Sequence, residues 1–228
     1  MRLPFTGQLC EIFFLTLHIL ISPIRLIRPI SPIKHNSAPR HQTMAYTFLP
    51  QKGNYRKLIA FQKAECIYDI TYYFAHTYLQ KGDRTIDQMV QAARSGRQNI
   101  AEGSPAAATS AETEIKLINV ARASLQELLL DYEDYLRVRN LIKWDVDSEK
   151  AKITRRVCSA HNDSAFYVEA IKQRTAETIA NIAITLIHQT DVFLRKLLDR
   201  LQADFLRNGG IKEQMYKARI DYRNSIKS

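Results

Sequence analysis

The sequence predicts an all-α protein: an antiparallel four-helix bundle with a short helical insertion and a basic C-terminal helix or tail. Turn residues are scarce, with Gly and Pro at 7 each in 228 residues, against usual frequencies of about 7% and 5%. Pro4, Pro23, Pro29, Pro32 and Pro39 crowd the first 43 residues, and no proline follows Pro105. From Tyr55 onward, apolar residues recur at three-to-four spacing. An all-β fold needs frequent turns and is excluded. A hydrophobic fraction of 46% speaks against a disordered chain.

Taken in order, residues 1–43 differ in composition from the rest and predict a disordered or non-native extension, followed by a linker over 44–54. Residues 12–21 read IFFLTLHILI. A membrane span needs about 20 apolar residues, and this run is interrupted by Thr16 and His18 and followed by Pro23, Arg25 and Arg28. A signal or anchor segment is the alternative, since such h-regions are short. A third is upstream sequence joined to a start at Met44.

The bundle is expected over 55–207. The first helix carries Ile59, Cys66, Ile67, Ile70 and Phe74 as one stripe and breaks at Lys81-Gly82-Asp83. Thr85-Ile86-Asp87-Gln88 reads as a capping-box start for a second helix with Ile86, Met89, Ala93, Gly96 and Ile100 inward. That helix stops at Gly103. Thr109-Ser110-Ala111-Glu112 opens a third, to about Asn140, with Ile115, Ile118, Leu125, Leu128, Leu129, Tyr132 and Leu136 inward. Residues 141–176 form the insertion, with Asp147 capping one short helix through Val157 and a turn at His161–Ser164 before another. The fourth long helix spans 177–207 on Ile179, Ile182, Leu186, Phe193, Leu197, Leu201 and Phe205. Gly209-Gly210 ends it, and 208–228 is a basic suffix. Four helices, each with one apolar stripe, bury those stripes most simply against one another.

The net charge of +10 is unevenly spread. Residues 1–43 hold five basic and one acidic side chain, and residues 207–228 hold six and two, so each end carries +4 while the body carries +2. A basic tail on a balanced body favours a polyanionic partner, RNA or DNA. Cys10, Cys66 and Cys158 are an odd, widely spaced set without Cys-x-x-Cys. They fit a reducing, cytoplasmic setting, with Cys66 a small core residue.

Ala92-Ala93-Arg94-Ser95 followed by Asn99-Ile100-Ala101-Glu102-Gly103 resembles the signature of the four-helix-bundle proteins encoded in 23S rRNA intervening sequences. Leu58 with Phe61-Gln62-Lys63-Ala64 in the first helix is similar to that family. So is Val120-Ala121-Arg122-Ala123-Ser124-Leu125-Gln126-Glu127-Leu128 in the third. Leu186-Ile187-His188-Gln189, Phe205 and Gly209-Gly210 with Glu213 and Arg219 resemble its subgroup with a four-helix-bundle suffix region. The likeness covers about residues 55–220. It implies a bacterial, cytoplasmic, non-enzymatic bundle that assembles as a ring-like homo-oligomer, often a pentamer. A related protein accompanies a reverse transcriptase and binds nucleic acid. The family's Arg-Arg pair falls here on Val90-Gln91, and its Ile on Gly96, so a role held by that pair does not carry over.

No Glu-x-x-His, Gly-rich phosphate loop or Gly-x-Ser-x-Gly occurs in the sequence. No catalytic residue, cofactor or metal site is therefore expected. His188 and Asp191 share a helix face, but two ligands do not make a site. Candidate nucleic-acid contacts are Arg94, Arg97, Arg207, Lys212, Lys217, Arg219, Arg223 and Lys227. Asn99, Glu102, Arg122 and Ser124 are expected to form a shared polar network where the second helix ends, because buried charge must be paired. Gly96 either lets two helices approach closely or leaves a gap. Tyr68, Tyr72, Tyr73 and Tyr78 crowd the first helix and suit either a core or an oligomer face. Two functions stand: a homo-oligomeric nucleic-acid-binding or scaffolding protein, and a purely structural interaction bundle, with a further protein as partner and no membrane role.

Overall fold

The computed structural model describes residues 54–104 and 110–227. The described residues all lie within one compact unit, Ala45–Ser228. The expectations for the extension, for most of the linker and for Thr109 lie outside the described residues.

The described residues form seven α-helices and no strand. A 3₁₀ turn at Tyr55–Lys57 leads into α1 (Ile59–Tyr78), then α2 (Arg84–Glu102), α3 (Ala111–Val138), α4 (Glu149–Ala160), α5 (Ser164–Ile171), α6 (Ala176–Asn208) and α7 (Ile211–Lys227). Side-chain oxygens start most of them. Asp83 accepts from Thr85 N–H, Ser110 from Thr113, Ser148 from Ala151, Asp163 from Ala165 and Thr175 from Thr178. Three expected starts move by one or two residues. Asp83, not Thr85, caps α2; Ser110, not Thr109, caps α3; Ser148, not Asp147, caps α4. In each case a residue one or two positions away also carries a capping oxygen, and sequence pattern does not choose between them.

Helix α1 packs on α2 and α6, and α3 packs on the same two, enclosing one core. Its centre is Ile67, Ile70 and Phe74 from α1, Met89 and Ile100 from α2, Leu125, Leu128, Tyr132 and Leu136 from α3, and Leu186, Ile187 and Leu194 from α6. Burying each Leu- or Ile-sized side chain is worth about 1.5–3 kcal/mol. The ring of Phe74 meets Tyr132 and Tyr135 at centroid distances of 5.0 and 4.7 Å, and Tyr132 donates to Thr71 Oγ1 at 3.0 Å, crossing the core between α1 and α3.

The insertion is two helices, α4 on α6 and α5 on α1. This extra cover explains why the inner face of α6 is wider than a single stripe. Leu194 and Leu198 are buried, while the expected Phe193, Leu197 and Phe205 lie half-buried at its flank. Asn181 on α6, itself buried, accepts from Trp144 N–H at 2.9 Å and donates to Ile142 O at 2.9 Å, tying down the segment between α3 and α4.

Gly96 resolves as a close approach. A Cβ there would lie 2.8 Å from both Cγ and Cδ2 of Leu125, so only glycine lets α2 sit this near α3. Among the described residues no helix is long and apolar enough to cross a membrane.

Candidate nucleic-acid interface

The end of α6 leads into a basic surface. Gly209 has φ +71, a conformation that favours glycine, and its N–H donates to Phe205 O at 2.8 Å. Gly210 is buried at the corner, where an added Cβ would meet Glu112 Oε1 at 3.1 Å and Phe205 at 3.5 Å. Gln214 then donates its backbone N–H to Gly210 O and its side-chain amide to Gly209 O, both at 3.1 Å. The corner is therefore built, and α7 leaves it as a helix rather than a tail.

At about 1.5 Å per residue, the 17 residues of α7 extend roughly 25 Å. The helix has no extensive packing partner among the other elements. Positions 212, 216, 219, 223 and 227 follow one another at intervals of three or four and share one side. That side carries Lys212, Tyr216, Arg219 and Arg223, all exposed. Lys227 ends the helix, and its side chain lies outside the described residues. Lys217, on another side, is exposed as well, and Arg207 is exposed in the last turn of α6. Arg207 and Lys217 flank an open notch of about 440 Å³ that also holds Glu213.

The two α2 candidates sit apart from this surface. Arg94 is exposed, and Arg97 is half-buried with its guanidinium 4.2 Å over the Tyr68 ring, a cation–π contact. Tyr68, Tyr72 and His76 continue that face along α1, with centroid spacings of 6.4 and 4.2 Å. Tyr72 is exposed. Tyr78 spends its hydroxyl on Arg174 O at 2.8 Å, and Tyr73 is half-buried against the core. The tyrosines thus divide between core edge and surface.

The expected four-residue polar network is split. Ser95 and Ser124 share a hydrogen bond at 2.9 Å, and the Asn99 side-chain amide donates to Ser95 O at 2.9 Å and Ser95 Oγ at 3.2 Å. Arg122 instead reaches α6 and donates to Asp191 Oδ1 at 2.8 Å, with Arg195 on the other carboxylate oxygen at 3.0 Å. Glu102 is exposed at the end of α2. The split has a geometric reason: Ser124 faces α2, whereas Arg122, two residues earlier on α3, points about 200° around the helix, toward α6. Asp191 is committed to two arginines and His188 is exposed, so the pair is not a metal site.

Three groups were not visible as functional from sequence. Lys63 is 1% exposed and donates to Cys158 O at 2.5 Å, a carbonyl in the last turn of α4 that lacks a helical partner. Burial lowers its pKa, while the neighbouring thiols Cys158 and Cys66 oppose that shift. Burial pushes Cys66 up to about 12 and Cys158 up to about 11, so both thiols stay protonated at neutral pH. Ser164 donates to Asp69, joining α5 to α1. Among the described residues no group of three or more His, Cys, Asp or Glu side chains could hold a metal ion.

Comparison with known proteins found no matching family model, no matching curated protein and no matching solved structure.

Proposed function

We propose that the chain is a non-enzymatic, homo-oligomeric four-helix-bundle protein that binds nucleic acid with little sequence preference and serves as a scaffold for it. The antiparallel bundle is inferred from the order of contacts. Along the α2–α3 seam Ser95 meets Ser124 while Gly96 faces Leu125 and Gly103 faces Leu117. Along α3–α6, Arg122 meets Asp191 while the chain just past α3, at Trp144, meets Asn181. From Ser95–Ser124 to Gly103–Leu117, and from Trp144–Asn181 to Arg122–Asp191, one number rises as the other falls, or the reverse. A five-residue connection joins α1 to α2, which also suits opposite directions.

The observation that carries the nucleic-acid reading is α7. Its three exposed cations on one side, with Arg207 and Lys217 nearby, present a positive edge about 17 Å long, from Lys212 to Arg223, to a duplex that carries one charge per roughly 1.7 Å of axis. Contacts to phosphate position a protein without reading bases, so RNA and DNA of unrelated sequence should be held alike. The resemblance to the intervening-sequence family supports a ring-like homo-oligomer, possibly of five, in which several arms act together and raise avidity. It supports a bacterial cytoplasm as the setting too.

The same helix favours a second reading. Phosphates need no apolar stripe, yet Met215, Tyr222 and Ile226 are exposed on α7, which suits a protein–protein interaction bundle. Retention of labelled RNA and duplex DNA on a filter at about 50 mM salt separates the two. Retention of both supports the nucleic-acid reading; retention of neither overturns it in favour of the interaction bundle.

A further inference from the structure

The face between α2 and α3 carries an open groove of about 610 Å³ that the basic surface does not use. Asp87 from α2 and Glu127 and Asp131 from α3 line it, with Ala92 between them and the paired Ser95 and Ser124 hydroxyls at its floor. None of the three carboxylates takes part in an ion pair among the described residues. Arg84 and Arg94, the exposed cations on the same helix, pair with none of them. Asp134 is held by Arg137 at 2.7 Å. Burial, and then Asp134 and Glu127, raise the pKa of Asp131, as expected for a carboxylate without a counter-ion.

Apart from Ala92, the residues lining this groove are polar or acidic, Gln88 and Gln91 among them. Beside the groove, Val120 lies two turns before Glu127 on the same side of α3, while Leu130 is turned about 120° from Ser124, away from α2. They are 40% and 60% exposed. The complementary surface is on α7. Ile211, Met215, Ala218, Tyr222 and Ile226 follow at spacings of four, three, four and four and make one apolar stripe. Lys212, Arg219 and Arg223 run beside it. Three of the apolar members, Met215, Tyr222 and Ile226, are about half-exposed or more. The Gly209-Gly210 corner holds this helix off its own bundle, and α7 makes no extended contact with its own α2 or α3.

We propose that the α2–α3 groove receives the α7 helix of a second copy of this chain. The apolar stripe would cover Ala92 and Val120, while Arg219 and Arg223 meet Glu127 and Asp131. Arm and groove are different surfaces, so the contact is heterologous and repeats from copy to copy, closing as a ring when the rotation allows. Lys217 and Arg207 stay outside the contact and remain open to a polyanion. This inference rests on the homo-oligomeric part of the proposed function.

The test uses the full chain and light scattering at micromolar concentration. Arg219→Glu with Arg223→Glu reverses the arm, and Glu127→Lys with Asp131→Lys reverses the groove. Each pair is expected to weaken self-association at least about tenfold and lower the mass. One chain carrying all four substitutions is expected to regain it. Circular dichroism checks folding; should Asp131→Lys unfold the chain, Asp87→Lys, at an exposed position, replaces it beside Glu127→Lys. A wild-type oligomer unmoved by either reversal overturns the inference and leaves the homo-oligomeric reading intact. A wild-type monomer overturns both. Loss without recovery in the chain carrying all four substitutions overturns the inference, as does an arm variant that loses duplex DNA but keeps its mass. A monomeric chain whose stability falls on either reversal would mean that α7 folds back on its own groove, which also overturns it.

Discussion

Replacing Gly96 by alanine tests how α2 and α3 are held, and so how the groove and the Ser95–Ser124 contact are placed. The new Cβ would sit 2.8 Å from Cγ and Cδ2 of Leu125, a side chain 1% exposed with no room to withdraw. Overpacking of this kind costs about 2 kcal/mol. Removing a glycine from a helix interior returns about 1 kcal/mol. The net expectation is a loss of about 1 kcal/mol. Leu125→Ala alone opens a cavity and should cost about 3 kcal/mol. It also deletes both clashing atoms, and the next neighbour of the Gly96 Cβ is Ala121 O at an ordinary 3.6 Å. In that background Gly96→Ala should instead stabilise by about 1 kcal/mol, giving a coupling near 2 kcal/mol between the two sites. Urea denaturation followed by far-UV circular dichroism measures all four chains, and matching m-values keep the cycle valid. If Gly96→Ala has the same effect in both backgrounds, the close-approach reasoning is wrong.

Other perturbations probe separate parts of the fold. Asn181→Ala removes the bonds to Trp144 N–H and Ile142 O from a buried site, with an expected loss of about 2 kcal/mol read as a lower thermal midpoint; an unchanged midpoint would mean solvent replaces those bonds. Above pH 9 stability should fall, because the ordinary thiol value is 9.0 while Cys66 and Cys158 titrate near 12 and 11 in the folded chain. The unfolded chain therefore loses those protons first. Lys63, shifted down from 10.5, works the other way as its burial penalty is relieved, and offsets part of the loss. The net expectation between pH 8 and 10 is a fall in stability, flattened in a Cys66→Ala/Cys158→Ala chain; an equal fall in that chain would place the cause elsewhere. Gly209→Ala forces a side chain into positive φ and toward Glu213, and should cost about 1 kcal/mol or more, with a loss of helical signal from α7 if the corner opens.

The helices were legible because periodicity and breakers agree. Lys81-Gly82-Asp83 ends α1 and caps α2, Gly103 caps α2, and Gly209-Gly210 ends α6. The same short-range pattern does not decide among neighbouring capping oxygens, which is why three starts move. Long-range polar pairings were not legible. Arg122 and Asp191 stand 69 residues apart and Lys63 and Cys158 stand 95 apart, and nothing local marks either pair. Lys63 in particular reads as a surface lysine, since its cost is met only by an α4 carbonyl whose position depends on the assembled fold. Of the candidate surface, the charges of the suffix were plain in sequence. Their sharing of one side of a helix, the apolar stripe next to them and the acidic groove between α2 and α3 required the helices to be in place.

A salt titration of RNA and duplex DNA binding, run on the full chain and on a chain lacking residues 208–228, tests the central claim most directly. Binding that neutralises phosphates falls with salt at a slope of about −0.9 per contact on duplex DNA. With Arg219 and Arg223 engaged by the neighbouring copy, Lys212 and Lys217 are the exposed cations left on each α7, and the account predicts measurable binding at low salt, no preference among unrelated sequences, and a slope that flattens by about two units per arm when α7 is removed. The helical signal of the remaining bundle should stay in place. Binding absent at low salt, or a slope unchanged by the deletion, would contradict it.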